Sequence, residues 1–181
     1  MKGDLVALDP GIQCPGVSVF RDGELYANCF LKLGTFHGNH IQKAASASQA
    51  VCDWLYNQQV KPVAVAFEWP QIYNDDSTAV ANAVIYMAAM DGYVTSTLQL
   101  QGYSQARVVH ALSYLPAEIW NSLPKSKTGS AKQSPRGLRV CSRLSTNELA
   151  ILNDQHDAID SCGIGLHVLG RLGIRRVYTS A

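Results

Sequence analysis

Two strand-length runs, Val17 to Arg21 and Glu24 to Leu33, flank Asp22-Gly23, a dipeptide that tolerates the positive φ angles of a two-residue hairpin turn. The mostly apolar run Asp4 to Asp9 precedes them, and Pro10-Gly11 forces a turn after it. The chain is therefore expected to open with an antiparallel meander of three strands. Helical spacing follows in Ile41, Ala44, Ala45, Ser48, Val51, Cys52 and Leu55, which predicts a helix over Asn39 to Gln59 with Asn39 as its N-cap. Pro62 to Glu68 is short, β-branched and apolar, as a central strand buried on both faces would be.

An alanine-rich helix is predicted from Asp76 to about Leu98, weakened locally by Gly92, and a further strand from Ala106 to His110. Pro116 stands at N1 of a short predicted helix through Leu123. Pro135 to Leu144 is a helix candidate, and Ser145-Thr146-Asn147-Glu148 fits a capping box that starts another. The last helix is expected to begin at Asp154, as N-cap, and to end around Gly170 to Gly173. The fold class is α/β: a meander, then strands joined through helices.

Several function classes fall away on composition. At 181 residues the chain suits one domain, 1–181, with a substantial core. An apolar content of 47% with 16% charged residues belongs to a folded chain rather than a disordered one. The longest nearly apolar run, Ala79 to Met90, is too short for a membrane span. Met1-Lys2-Gly3-Asp4 leads straight into a strand with no signal-like segment, so the expected location is the cytoplasm of a bacterium or a virus-infected host cell, with an organelle left open. Cys14, Cys29, Cys52, Cys141 and Cys162 are odd in number and form no C-x-x-C pair, which argues for free thiols and against a cysteine zinc site.

The acids are placed with more purpose. Asp9 ends the first strand, Glu68 ends the buried one, and Asp157 and Asp160 open the last helix at i, i+3 spacing, which puts them on one face about 5–6 Å apart at Cβ. A helix dipole offsets only part of the repulsion between two such carboxylates. A cation is the usual remedy. Strand ends beside one another bring Asp9 and Glu68 to one edge of the sheet, where the last helix can bring its pair to meet them. All-oxygen ligands suit Mg²⁺ or Mn²⁺. Two such ions, about 3.5–4 Å apart, clamp the attacking and leaving oxygens of a phosphodiester. Each acid alone also has a plainer reading, as a turn residue, a strand terminus or a first-turn acid.

The net charge of +1 conceals a one-sign segment. Between Ile119 and Asn147 stand Lys125, Lys127, Lys132, Arg136, Arg139 and Arg143, with no acid among them. Such a run is either a solvated surface or, with Ser126, Thr128, Gly129, Ser130 and Ser134 interleaved, a loop that contacts phosphates. Both readings stand.

Leu8-Asp9-Pro10-Gly11 followed by Gly16-Val17-Ser18-Val19, then Ala66-Phe67-Glu68, then His156-Asp157-Ala158-Ile159-Asp160, resembles the RuvC-type Holliday-junction resolvases of the ribonuclease H-like superfamily. The match in order and spacing covers nearly the whole chain, although the strongly matching residues are few. It implies a ribonuclease H-like fold with a mixed five-stranded sheet, the antiparallel meander plus parallel strands, flanked by helices. It implies that Asp9, Glu68, Asp157 and Asp160 are the catalytic, metal-binding set for two Mg²⁺ ions, with Mn²⁺ able to substitute. In that family the position of Asp157 is held by either Asp or His.

Gly129-Ser130-Ala131-Lys132 is similar to a family segment whose lysine contacts DNA, which makes Lys132 the leading basic candidate, with Lys125, Lys127 and Arg136 beside it. The family's second lysine, near Trp120-Asn121, is missing, and Lys125 is the candidate to replace it. Ser161 stands where the family commonly has alanine, a change expected to be harmless. An aromatic in the loop after Glu68 stacks at the junction centre in such enzymes; Trp69 and Tyr73 are both near, and Tyr73 is chosen.

The resemblance further implies a homodimer, since two matched nicks across a pseudo-two-fold junction suit a two-fold protein, with the alanine-rich helix as the subunit contact. The expected activity is a divalent-metal-dependent endonuclease that cuts branched DNA by paired symmetric nicks. The alternative is a non-catalytic branched-nucleic-acid-binding module on the same fold. A third reading, the phosphate loop of actin-like ATPases and sugar kinases, needs a second domain and nucleotide loop for which the chain is too short.

Overall fold

The computed structural model describes residues 1–11, 13–34, 38–68, 78–102, 107–110 and 129–172; the side chains of 78–80 and 107–110 lie outside that description. The expected helix from Pro116 to Leu123 falls outside the described residues, as do Trp69, Tyr73, Lys125 and Lys127. Five strands form one sheet: β1 (Asp4–Asp9), β2 (Gly16–Arg21), β3 (Glu24–Phe30), β4 (Pro62–Phe67) and β5 (Arg107–His110). Their order is β3-β2-β1-β4-β5, with β1–β2 and β2–β3 antiparallel and β1–β4 and β4–β5 parallel. The mixed five-stranded sheet is thus the one expected. Asp22 and Gly23 make the hairpin turn with φ of 52° and 94°.

The helices among the described residues are α1 (His40–Asn57), α2 (Thr78–Leu100), α3 (Pro135–Cys141), α4 (Thr146–Ile151) and α5 (His156–Val168), with one 3₁₀ turn at Ala131–Gln133. Asn39 caps α1 through a capping box with Gln42, and Ser145 caps α4 through one with Glu148. The last helix departs from expectation at its start. Gln155, not Asp154, is its N-cap, because the Asp154 carboxylate instead accepts from the Ser130 hydroxyl at 3.0 Å and the Lys132 backbone N–H at 2.7 Å.

Alternation along the strands divides the interior in two. Leu5, Ala7, Phe20, Ala64 and Ala66 pack with Ile159, Cys162, Ile164 and Leu166 of α5 on one face of the sheet. Val6, Leu8, Val17, Val19, Val65 and Phe67 pack with α1 and α2 on the other. β1 is buried along its whole length, as a central strand covered on both faces must be. On α2 the buried stripe is Tyr86, Met90, Val94 and Leu98, at i, i+4 spacing, and the Ser48 hydroxyl on α1 donates to the Met90 carbonyl at 3.3 Å. None of the described helices is long and apolar enough to cross a membrane.

Candidate active site

The site begins where β1 and β4 end together. Leu8 pairs with Phe67, and the Glu68 N–H extends the ladder by donating to the Leu8 carbonyl at 3.4 Å, so Asp9 and Glu68 follow as neighbours on adjacent strands, about 4.8 Å apart in backbone. The two-residue period that sends Leu5 and Ala7 toward α5 places Asp9 on that same face, while Glu68, one residue past the end of β4, carries its charge near Asp91 of α2. Asp9 is 7% exposed and Glu68 half-buried. After Asp9 the chain turns at once, with the Gly11 N–H donating to the Asp9 carbonyl at 2.9 Å. The buried Tyr86 hydroxyl donates to the Gly11 carbonyl at 3.3 Å and so ties α2 to the turn; burial pushes that phenol up to about 12.

α5 lies directly over this edge because two glycines let it. Gly16 is the β2 partner of Asp9, and a Cβ on it would fall 1.8 Å from the Asp157 carbonyl oxygen. A Cβ on Gly165 would fall 2.1 Å from the Phe20 ring. A buried polar network then fixes the helix: Ser18 and Ser161 share a hydroxyl hydrogen bond at 2.8 Å, and the Asn28 amide donates to the Ser18 hydroxyl at 2.7 Å and to the Ala158 carbonyl at 2.9 Å. Ser161, a departure from the family pattern, is thus part of how α5 is held. The Asp157 carboxyl carbon comes within 3.6 Å of where a Gly11 Cβ would stand. Nearby, burial and the Asp157 charge both push the Cys14 thiol up.

Asp160, one turn further along α5, is 4% exposed, and its Oδ2 accepts from Arg136 Nη1 at 2.8 Å. Arg136, expected above among the DNA-contacting bases, is 7% exposed and spends its guanidinium on Asp160. Lys132 is half-buried, its ammonium donating to the Leu149 carbonyl at 3.2 Å. Sequence reasoning passed over one further acid. Asp91 on α2 is 8% exposed, and no hydrogen bond reaches its Oδ1. Burial first, and the charge of Glu68 second, push its carboxyl up to about 8. An acid beside Met90, in the apolar stripe of an alanine-rich helix, was the signal that could have found it.

The donor set is all carboxylate oxygen on one edge of the sheet, and such chemistry fits a hard divalent cation. Among the described residues, however, no three of His, Cys, Asp and Glu gather closely enough to share one ion. Asp9 and Glu68 are backbone neighbours at the strand ends and Asp157 lies against Gly11 and Gly16 beside them, while Asp160 is drawn onto Arg136.

A central strand with an antiparallel meander on one side and parallel strands on the other, helices on both faces, and a last helix crossing the acid-bearing edge define a ribonuclease H-like α/β fold. The structure matches RuvC of T. thermophilus in complex with a Holliday-junction substrate with a TM-score of 0.51, over 94% of this chain and 96% of that one, at 15% sequence identity. It matches the yeast mitochondrial Holliday-junction resolvase Ydc2 with a TM-score of 0.54, over 93% of this chain and 80% of that one, at 12% identity. No family model matches the sequence, and no curated protein matches it.

Proposed function

We propose that this chain is a divalent-metal-dependent, structure-selective DNA endonuclease that resolves four-way junctions by paired symmetric nicks. The observation that carries the reading is the adjacency of Asp9 and Glu68 at two neighbouring strand ends, beside the start of the helix that bears Asp157 and Asp160. Among its fold neighbours are RuvC bound to a Holliday-junction substrate and a mitochondrial Holliday-junction resolvase.

Asp9, Glu68, Asp157 and Asp160 would hold the ions, two by the family resemblance, Mg²⁺ with Mn²⁺ as substitute. When bound, such ions activate water and neutralise charge on the phosphate. The chain's own residues do the rest. The strand-end acids set a fixed edge, and Tyr86 holds the turn after Asp9 still. The Lys132 ammonium has three N–H donors, so one can stay on Leu149 while the others meet a backbone phosphate. Lys125, Lys127 and Tyr73 are assigned to the junction by the resemblance alone.

Two nicks of like polarity need two sites related by two-fold symmetry, and the exposed small face of α2, Ala81, Ile85, Ala88 and Gly92, is proposed as the subunit contact. Binding through phosphates makes affinity fall steeply with salt.

With Mg²⁺, the purified protein is expected to introduce paired nicks into a synthetic four-way junction, and Asp9→Asn to bind the junction without cutting it. Equal cutting of linear duplex refutes the resolvase assignment; junction binding with no metal-dependent cutting in the unaltered protein refutes the nuclease assignment and leaves a binding module.

A further inference from the structure

One guanidinium reaches an acid of the site, and its position is built rather than incidental. Arg136 follows Pro135 in the first turn of α3, whose N-cap Ser134 accepts from the Gly137 N–H at 3.0 Å. Gly137 sits so close to the preceding 3₁₀ turn that a Cβ there would fall 2.0 Å from the Ala131 carbonyl oxygen. The base of Arg136 is therefore fixed against both Ala131 and α5, which α3 packs on. From it the side chain reaches inward to Asp160, the pair being 8% and 6% exposed.

Two other arginine–carboxylate pairs among the described residues are plainly structural. Arg21 joins Asp4 at the far edge of the sheet, and Arg171 joins Glu148 below α4. The pair of Arg136 with Asp160 lands on one of the four acids of the site. A guanidinium and a divalent cation compete for the same carboxylate lone pairs, and at close range the two cations repel each other.

We propose that Arg136 is an internal counter-cation of the site: it holds Asp160 while the site is without metal and competes with a divalent ion for that carboxylate, weakening the ion's hold. This inference rests on the metal-nuclease reading above and adds a regulator to it. Arg136 is a positioning residue, acting through Asp160 rather than on the phosphate. The ion that engages Asp160 must displace the guanidinium or share the carboxylate with it, so metal occupancy is set by the balance between the two. A merely structural arginine would behave in the opposite way, because its loss would loosen the site and weaken the ion.

The test is a Mn²⁺ titration of the full chain followed by electron paramagnetic resonance, without DNA and without reference to cleavage. Arg136→Met is expected to bind Mn²⁺ about tenfold more tightly than the unaltered protein, equivalent to about 1.4 kcal/mol, and Arg136→Lys, which keeps the charge, to stay close to it. Should Arg136→Met fail to fold, Arg136→Gln keeps an N–H donor for Asp160 without the charge and is expected to show the same tightening. Equal or weaker binding in the folded neutral variants overturns the proposal. Asp9→Asn separates the two levels: if it weakens Mn²⁺ binding while the neutral Arg136 variants do not tighten it, only the counter-cation falls. If Asp9→Asn binds Mn²⁺ as well as the unaltered protein, the ion lies elsewhere, and the functional reading and this proposal fall together.

Discussion

Replacing Gly16 by alanine tests the geometry on which the site depends. A Cβ there would stand 1.8 Å from the Asp157 carbonyl oxygen, 2.3 Å from its carbon and 2.9 Å from the Ala158 nitrogen, all of them backbone atoms. No rotamer change relieves contact with a backbone. To open the shortest distance to an ordinary contact of about 3.5 Å, the start of α5 must recede by about 1.7 Å. Overpacking against a rigid element costs about 2–3 kcal/mol, and a domain of this size loses about 2–4 °C of Tm per kcal/mol, so thermal unfolding is expected about 4–12 °C lower. The same shift carries Asp157 away from Asp9, the residue that Gly16 pairs with across β1 and β2. Misplacement by about 1 Å commonly costs about 10²-fold in rate. Junction nicking should therefore fall by at least that factor even below the lowered Tm. Gly34→Ala, in open space, is the control expected to change neither. A Gly16→Ala protein that unfolds and cuts like the unaltered one refutes the close approach of α5 to the sheet.

Asp91 takes up a proton on folding, because its carboxyl rises from 3.8 to about 8, so its contribution is whole below pH of about 4 and is lost as pH rises toward 8. In metal-free buffer Asp91→Asn should flatten that decline and be the more stable protein at pH 8 by a few kcal/mol, under a ceiling of about 6 at 1.36 kcal/mol per pKa unit; an unchanged Tm–pH slope counts against a buried, charged Asp91. Glu148 runs the other way. Burial raises its carboxyl, but the Arg171 guanidinium and the Ser145 and Leu25 N–H groups outweigh that and bring it from 4.5 down to about 2. Its stability is present above pH of about 4.5 and lost as pH falls through 2, so Glu148→Gln should be less stable at pH 7, with the gap closing under acid denaturation. Asn28→Ala strips the amide from Ser18 and Ala158 and the acceptor from the Asn153 N–H, and should cost about 1–3 kcal/mol in urea unfolding. Chelation by EDTA is expected to abolish nicking and leave the far-UV circular dichroism intact.

The strands were legible because their signals are local. Asp4–Asp9 reads off its apolar run, Asp22-Gly23 off its turn chemistry, the Asn39 cap off its residue type and the Ser145 capping box off its four-residue pattern. The order of the acids was legible too, since each sits at the end of such an element. What escaped depends on partners far away in sequence. Asp154 has the composition of an N-cap, yet a loop more than twenty residues earlier claims its carboxylate. Arg136 belongs to a run of bases, and nothing in a seven-residue helix reveals that one of them turns inward to an acid on α5. Ser161 looked neutral because its value lies in Ser18, on a strand at the other end of the chain.

What gathers the carboxylates is apolar burial on the same helix that carries two of them. Ile159, Ile164 and Leu166 of α5 are at most 2% exposed, and fully burying side chains of this size contributes about 1.5–3 kcal/mol each, an upper figure given a compact unfolded state. That burial works against the repulsion between the helix-start acids and the strand-end acids Asp9 and Glu68. Arg136 removes part of the remainder by pairing with Asp160. The acids are thus held in place by the core beneath them, so the proposed cation would serve the chemistry rather than the fold. The separation of the two requirements follows from α5 itself: its buried face runs on through Leu166, well past the turn that bears Asp157 and Asp160.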